Sequence, residues 1–156
     1  MSDRRIVVVT AGLGTPSSSR LLADRLSTAV TAGLEERGAR SAVETFELRE
    51  YARDLVDHLT TGFPSQRLEA MLAAVGAADG LIVVSPIFST SYSGLFKLFI
   101  DVLDPTALES MPVLIGANAG TARHSLAIDY AIRPLFAYLH ADAVPTGVFA
   151  ASSDWG

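Results

Sequence analysis

The chain has 156 residues, 49% hydrophobic and 19% charged, and this balance predicts one globular domain over residues 1–156 rather than a disordered segment. A formal net charge of -5 with no basic run argues against nucleic acid as a partner. The absence of cysteine excludes disulfides, thiolate metal sites and cysteine nucleophiles. The apolar run after the N-terminus is far too short for a signal peptide or a membrane span, so we expect a cytoplasmic protein with no membrane partner.

Strand and helix patterns alternate along the chain. Five segments have the composition of β-strands: residues 5–10, 41–48, 81–84, 112–118 and 143–149. Four segments have helical periodicity: residues 22–34 (ending by Gly38), 66–78, 93–103 and 124–140, the last interrupted by Pro134. Residues 49–66 give a mixed signal and are expected to form a loop with some helical turns.

This alternation predicts an α/β fold in which a parallel sheet carries helices on both faces. The second and fifth strands are the weakest, since one is rich in charges and the other contains Pro145. They are the edges in a flavodoxin-like doubly wound five-stranded sheet of order 2-1-3-4-5. A covering helix is expected after the fifth strand, but the sequence stops at Gly156. Either the chain is a fragment lacking its C-terminal helix, or a neighbouring subunit covers that face.

In such sheets ligands bind beyond the carboxyl ends of the strands, where three unusual loops should converge. The first loop, residues 10–20, is rich in small and hydroxyl residues and precedes a helix, which favours binding of a phosphate. The alternative is that one serine caps the helix and the rest fill the loop. A dinucleotide fingerprint fits less well, because Ser17 stands where glycine or alanine is needed and Pro16 interrupts the pattern.

The second and third loops have compositions suited to a flat heteroaromatic ligand. Residues 85–94 begin with Ser-Pro, which delays the following helix and leaves an extended hydroxyl-rich loop where Phe88 could pack on a ring. Residues 116–124 again combine glycine and hydroxyls before a helix, and end at His124. Phe88 is more simply a core residue, and a lone histidine is more often structural than catalytic.

The sequence lacks the residue patterns of metal sites, serine hydrolases and P-loop NTPases. The three histidines do not have metal-ligand spacing, no G-x-S-x-G elbow is present, and no Walker lysine follows the first loop. With no nucleophile, acid or metal identified, we assign no catalytic residue. A redox cofactor that brings its own reactivity is the simplest explanation.

The three loops together resemble the NADPH-dependent FMN reductase family, especially its alkanesulfonate-utilisation and actinobacterial branches. The resemblance covers most of the chain and rests on residues 11–23, 86–97 and 120–134. Two departures are visible. Leu13-Gly14-Thr15 stands where some members have an arginine after Gly-Ser, and Phe88 replaces a common tyrosine.

The resemblance implies an oxidoreductase that transfers hydride from NADPH to FMN and supplies a monooxygenase with reduced flavin. It implies that the phosphate of FMN is held near Gly12 by Ser17, Ser18, Ser19 and Arg20. The isoalloxazine ring would be lined by Pro86, Ile87, Phe88 and Ser89. Asn118, Gly120, Thr121 and Arg123 would complete the ring pocket or meet NADPH. A homodimer or homotetramer is also implied.

Other interpretations remain open from the residues. The same site would serve an FMN-containing quinone or azo-dye reductase. A flavodoxin-type electron carrier is less well matched, because such carriers are more acidic and sandwich the ring between Trp and Tyr, whereas the only tryptophan is Trp155. A degenerate scaffold that binds nothing is the third alternative. The sequence does not separate NADPH from NADH.

Overall fold

A computed structural model describes residues 3–155 as a mainly parallel sheet with one α-helix on one face and four on the other. The strands are β1 Asp3–Thr10, β2 Arg40–Glu47, β3 Gly80–Phe88, β4 Ser91–Tyr92, β5 Pro112–Ala119, β6 Asp142–Ala143 and β7 Val148–Ala151. The α-helices are α1 Ser18–Glu36, α2 Ala52–Thr61, α3 Gln66–Gly76, α4 Gly94–Val102 and α5 Arg133–Tyr138. Short 3-10 turns cover Leu48–Tyr51, Ala122–His124 and Ser152–Trp155, and a π-helical turn covers Ile128–Ile132.

The strand order confirms the predicted α/β parallel sheet but corrects the number of strands. The main path runs β2-β1-β3-β5-β6, and β7 also pairs with β5. These pairs are all parallel, whereas β4 is a two-residue antiparallel addition to the end of β3. The sheet therefore has seven strands instead of five. The predicted order of the first four strands is correct, since the predicted fourth strand is β5.

The predicted fifth strand, residues 143–149, is divided into β6 and β7. Pro145 lies in the gap and has no N–H to donate to a ladder. Arg133 fills that gap, because its guanidinium donates to the carbonyl oxygens of Val144 (2.8 Å) and Pro145 (3.1 Å). A charged side chain thus satisfies backbone groups that strand pairing leaves free.

The two faces of the sheet bury alternate residues of each strand. Val7 and Val9 of β1 face the larger core, beneath α2 to α5, where Phe96 and Phe136 are fully buried. Val8 faces the opposite way, into a smaller core against α1. Burial on both faces explains the unbroken β-branched runs of the central strands.

Two helical segments differ from expectation. Residues 52–61 lie in the stretch expected to form a loop with some helical turns, and they form the regular helix α2, in which Leu55 is the buried residue. The predicted helix 124–140 is broken into a 3-10 turn, the π-helical turn and α5. Pro134 is the second residue of α5 and cannot donate to the carbonyl of Tyr130, so the preceding turn widens by one residue.

One side of α1 borders an apolar cleft of about 300 Å³, lined by residues such as Ile6, Leu34 and Leu114. Across residues 3–155 we find no helix with the length and apolar character needed to cross a membrane.

We predict that Arg133→Ala destabilises the fold. Its two carbonyl contacts and its 3.0 Å ion pair with Asp129 would be lost, leaving the gap between β6 and β7 without donors. The expected loss is about 1–2 kcal/mol in the free energy of unfolding, measured by urea denaturation. Arg53→Ala, at an exposed position on α2, is the matched control and should change stability by less than about 0.5 kcal/mol. Equal effects of the two variants would contradict this account.

Candidate functional site

Three loops meet at the carboxyl edge of the sheet because the parallel register places their strand ends at similar heights. Thr10 at the end of β1 is level with Val84 in β3, and Pro86 is level with Asn118 in β5. The loop after β1, the hairpin after β3 and the loop after β5 therefore lie side by side. This is the edge at which doubly wound folds bind their ligands.

The first loop presents a series of unpaired backbone donors. Among the described residues, no protein acceptor takes a hydrogen bond from the N–H groups of residues 12–15 and 17–19. Ser17 is the N-cap of α1, where its hydroxyl accepts from the N–H of Arg20 at 3.2 Å. Free N–H groups at the start of a 19-residue helix attract an anion.

Gly12 lets this loop close tightly. A Cβ at that position would collide with the Ser17 Oγ, so a side chain there would force the cap of α1 to shift. The buried Thr10 below the loop has a hydroxyl without a hydrogen-bond partner among the described residues. A buried polar atom left unsatisfied is costly unless a ligand or water supplies its partner.

Buried serines tie the three loops together. The Ser93 Oγ donates to the carbonyl of Ala11 (3.2 Å), and the Ser93 N–H donates to the Ser85 Oγ (3.0 Å). Ser93 is also the N-cap of α4, accepting from the N–H of Phe96. A single side chain thus links the first loop to the second and starts the following helix.

Ser19 and Asn118 form a second buried link. The Ser19 hydroxyl donates to the Asn118 Oδ1 at 2.7 Å, and both residues are buried. This bond orients the Asn118 amide and joins the first turn of α1 to the end of β5. The Ser19 side chain is consequently committed to the protein, and its free group is the backbone N–H.

A cleft of about 190 Å³ lies between the three loops and the end of β7. Its lining combines residues from four segments of the chain: Ser18, Pro86, Ile87, Phe88, Asn118, Ala119, Gly120, Ser152 and Trp155. Six of these were candidates from the sequence. Gly120 has open space where a side chain would stand, so a ligand can approach its backbone closely.

The sequence analysis did not identify Trp155 as a site residue. It lies far along the chain from all three loops, and no sequence pattern links it to them. The 3-10 turn that carries it follows β7, and the Asp154 carboxylate accepts from the Ala151 N–H at 2.7 Å. The Arg25 guanidinium carbon lies 5.0 Å from the centroid of the indole ring. Because β7 pairs with β5, the turn that follows β7 places the Trp155 side chain in the lining of the cleft.

The second loop is a strand and a tight hairpin rather than an open loop. β3 continues through Pro86 to Phe88, and β4 turns back along it. Ser89 and Thr90 form the turn with positive φ angles of 48° and 72°. Phe88 is exposed at the rim of the cleft, so the simpler expectation of a core residue is wrong, and its contact with a ring stays a prediction.

Arg20 lies on the other side of the first loop, in a cleft of about 240 Å³ that also includes Ser17 and Arg49. Its guanidinium is 2.8 Å from Asp24 and 3.3 Å from Glu47. The hydrogen bond to Asp24 is the main reason why the pKa of Arg20 is raised, despite some burial that lowers it. The positive charge of Arg20 is therefore compensated by two carboxylates, and Arg20 does not line the cleft beside Trp155.

The remaining candidates lie on the third loop. Thr121 accepts from the Arg123 N–H at 2.9 Å and begins the 3-10 turn that ends at His124. Arg123 lines a separate cleft beyond the hairpin. The cleft beside Trp155 thus groups six of the predicted residues: Ser18, Pro86, Ile87, Phe88, Asn118 and Gly120. The other candidates do not line it: Gly12, Ser17, Ser19, Arg20, Ser89, Thr121 and Arg123.

Comparison with known proteins supplies an independent view. A sequence model of the family described as NADPH-dependent FMN reductase matches residues 4–156. The FMN reductase (NADPH) of Pseudomonas aeruginosa is 34% identical over 156 residues, covering 99% of this chain and 80% of that protein. The NADH-dependent FMN reductase SfnF of Pseudomonas putida is 36% identical over 146 residues, covering 94% of this chain and 76% of that protein.

Solved structures agree with these sequence matches. An oxidoreductase from Corynebacterium diphtheriae superposes with a TM-score of 0.97 at 51% identity, covering 100% of this chain and 86% of that chain. A flavodoxin, WrbA-like protein from Agrobacterium tumefaciens superposes with a TM-score of 0.61 at 19% identity, covering 98% and 85% respectively. The second likeness concerns the fold alone, and it supports the flavodoxin-like architecture.

We predict that Ser19→Ala lowers the free energy of unfolding by about 1–3 kcal/mol. The substitution leaves the buried Asn118 Oδ1 without its donor, and an unsatisfied buried acceptor carries that penalty. Urea denaturation measures the change. Ser18→Ala is the control, since Ser18 is the exposed neighbour in the same helical turn and should be nearly neutral. An equally small effect at both positions would contradict a structural role for the Ser19–Asn118 bond.

Proposed function

The chain belongs to the NADPH-dependent FMN reductase family, an oxidoreductase family that uses FMN and NAD(P)H, and from this we propose that it reduces free FMN for use by another enzyme. The observation that carries the proposal is the row of unpaired N–H groups at the start of α1, beside the cleft that holds Phe88 and Trp155. A phosphate and a flat ring need these two neighbouring environments.

The first loop would hold the phosphate of FMN. Its donors would be the backbone N–H groups between Gly12 and Ser19, together with the exposed Ser18 hydroxyl. Ser17 and Ser19 would contribute through their backbones, since their hydroxyls already have protein partners. Arg20 would act on the phosphate only through its field, because Asp24 and Glu47 hold its guanidinium.

The ring would occupy the cleft between the hairpin and the third loop. Pro86, Ile87 and Phe88 offer an apolar side, and Gly120 leaves room for close approach of the ring. Asn118, oriented by Ser19, offers its amide to the polar edge of the ring. Bound FMN supplies the redox chemistry, in which NADPH and a proton give NADP⁺ and reduced FMN by hydride transfer. The protein contributes orientation rather than acid–base groups.

Delivery of reduced flavin to a monooxygenase is the next step of the proposal. Phe88 remains exposed at the rim, which leaves one wall of the ring cleft accessible from solvent. The same domain would assemble as a homodimer or homotetramer, for which the exposed Tyr130 and Tyr138 are candidate contacts. FMN would then be a substrate, in contrast with a quinone or azo reductase that retains it.

We predict that the purified protein oxidises NADPH only when free FMN is added, with saturable dependence on FMN concentration. Release of the reduced product requires replenishment of the flavin at every turnover. NADPH consumption at 340 nm, measured with and without FMN under anaerobic conditions, tests this. Ping-pong turnover of a tightly retained flavin with a quinone would contradict the proposal, as would FMN binding without any NADPH oxidation.

We predict that Ser18→Pro weakens FMN binding about tenfold and leaves riboflavin binding unchanged. Ser18 is the first residue of α1, where proline is tolerated, and the extended φ and ψ of Ser17 (-100°, 132°) suit a residue before proline. The variant removes one N–H that would donate to the phosphate, and such charge-assisted bonds are worth about 1.5–3 kcal/mol.

Flavin-fluorescence titration of both ligands measures the effect, and Ser18→Ala separates loss of the hydroxyl from loss of the N–H. Equal weakening of FMN and riboflavin, or no weakening of either, would contradict phosphate binding at the start of α1.

A further inference from the structure

Trp155 lines the ring cleft, the cleft of about 190 Å³ described above, and three contacts hold it there. It ends the 3-10 turn Ser152–Trp155, which the Asp154 carboxylate closes by accepting from the Ala151 N–H at 2.7 Å. The half-buried indole packs against the smaller core under α1. Arg25 of α1 lies over the ring, with its guanidinium carbon 5.0 Å from the ring centroid. The turn, the core and Arg25 together fix the direction of the indole.

The Arg25 guanidinium is committed to this ring. Over residues 3–155 it forms no ion pair and no side-chain hydrogen bond, because the neighbouring Asp24 pairs with Arg20 instead. A cation within about 6 Å of the centroid of a tryptophan ring is attracted by the negative face of that ring. Arg25 is otherwise exposed to water, so the indole is what orders its charged end in the described part of the chain.

Arg25 and Ser18 lie on the same face of α1. They are seven residues apart, which is close to two helical turns, or about 10 Å along the helix axis. Ser18 lines the ring cleft next to the unpaired N–H groups at the start of the helix. One face of α1 therefore borders the proposed phosphate site with its first residue and supports Trp155 two turns later.

Two aromatic side chains line the ring cleft, and they are supported differently. Phe88 ends β3, where it pairs with Ser91 of the antiparallel strand β4. Trp155 lies in the turn after β7, outside the strand ladder. A flat ligand gains most from an aromatic side chain when the two rings meet offset or edge to face, so the gain depends on orientation. The contribution of Trp155 to ring binding therefore depends on Arg25.

We propose that Arg25 is a positioning residue for the flavin: it holds the Trp155 indole in place as an aromatic wall of the ring cleft. This role rests on the FMN binding proposed for the same cleft and adds to it a residue two helical turns away from the phosphate site. Arg25 acts through Trp155 on the ring, which FMN and riboflavin share. Loss of Arg25 should therefore weaken both flavins by the same factor, whereas a change at the phosphate site weakens FMN alone.

The fluorescence of the ligand-free protein tests the contact itself, because Trp155 is the only tryptophan in the sequence. Arg25→Gln keeps a long polar side chain and removes the charge. We expect it to raise the Stern–Volmer constant for quenching of Trp155 by acrylamide, and we expect Arg25→Lys to restore part of the protection. Arg53→Gln, at an exposed position on α2, is the matched control and should leave the constant unchanged.

Flavin-fluorescence titration tests the consequence for binding. Arg25→Gln should weaken FMN and riboflavin equally, by about two- to fivefold, which is the expected effect of one exposed cation–π contact. The KM for FMN should rise by a similar factor at an unchanged kcat. In a Trp155→Ala background, Arg25→Gln should have no further effect on flavin binding, because the side chain through which Arg25 acts is absent.

Several outcomes would overturn the role of Arg25. These are unchanged flavin binding in Arg25→Gln, weakening of FMN without weakening of riboflavin, and an equal effect of Arg25→Gln with and without Trp155. A wild type that binds neither flavin would overturn this role and the proposed function together. A wild type that binds flavin without oxidising NADPH or NADH would overturn the proposed function alone, and the binding data of the two variants would still decide the role of Arg25.

Discussion

The parallel register of β1, β3 and β5 is the constraint on which the site depends. It places Thr10 beside Val84, and Pro86 beside Asn118, so that three loops far apart in the chain end at one edge. The buried hydroxyls of Ser85, Ser93 and Ser19 then lock these loops to one another. Because these bonds are shielded from water, they hold the loop backbones in place while leaving the N–H groups of the first loop free for a ligand.

Arg20, Arg123 and Arg133 differ in how their charges are compensated. Two are held, Arg20 by carboxylates and Arg133 by a carboxylate and two carbonyls, and both serve the fold. Within residues 3–155 the Arg123 guanidinium has no hydrogen-bond or ion-pair partner, and only its backbone N–H is engaged. The proposed phosphate site at the start of α1 therefore consists of backbone N–H groups rather than an arginine side chain.

Irregular backbone concentrates where the ligands are expected. Ser89 and Thr90 adopt positive φ angles, which cost a non-glycine residue free energy and persist only when surrounding contacts impose them. The π-helical turn before Pro134 has a similar origin, because the proline removes a donor and the chain widens to accommodate it. Both features border the cleft that contains Arg123, and they orient Thr90 and Tyr130 towards the same space.

The sequence by itself determined the layered α/β class, the central strands, α1, α3 and α4, because buried β-branched runs and i+4 apolar spacing report burial directly. It also indicated the candidate loops, because small and hydroxyl residues after buried strands mark the ligand edge. Only the tertiary structure decided the rest. The sequence did not predict α2, because a single buried leucine gives no apolar periodicity. It did not predict the division of the fifth strand, because there the Arg133 side chain, ten residues before β6 ends, bonds the carbonyls that strand pairing leaves free. Trp155 reached the cleft through pairing of β7 with β5, a contact that no local pattern encodes.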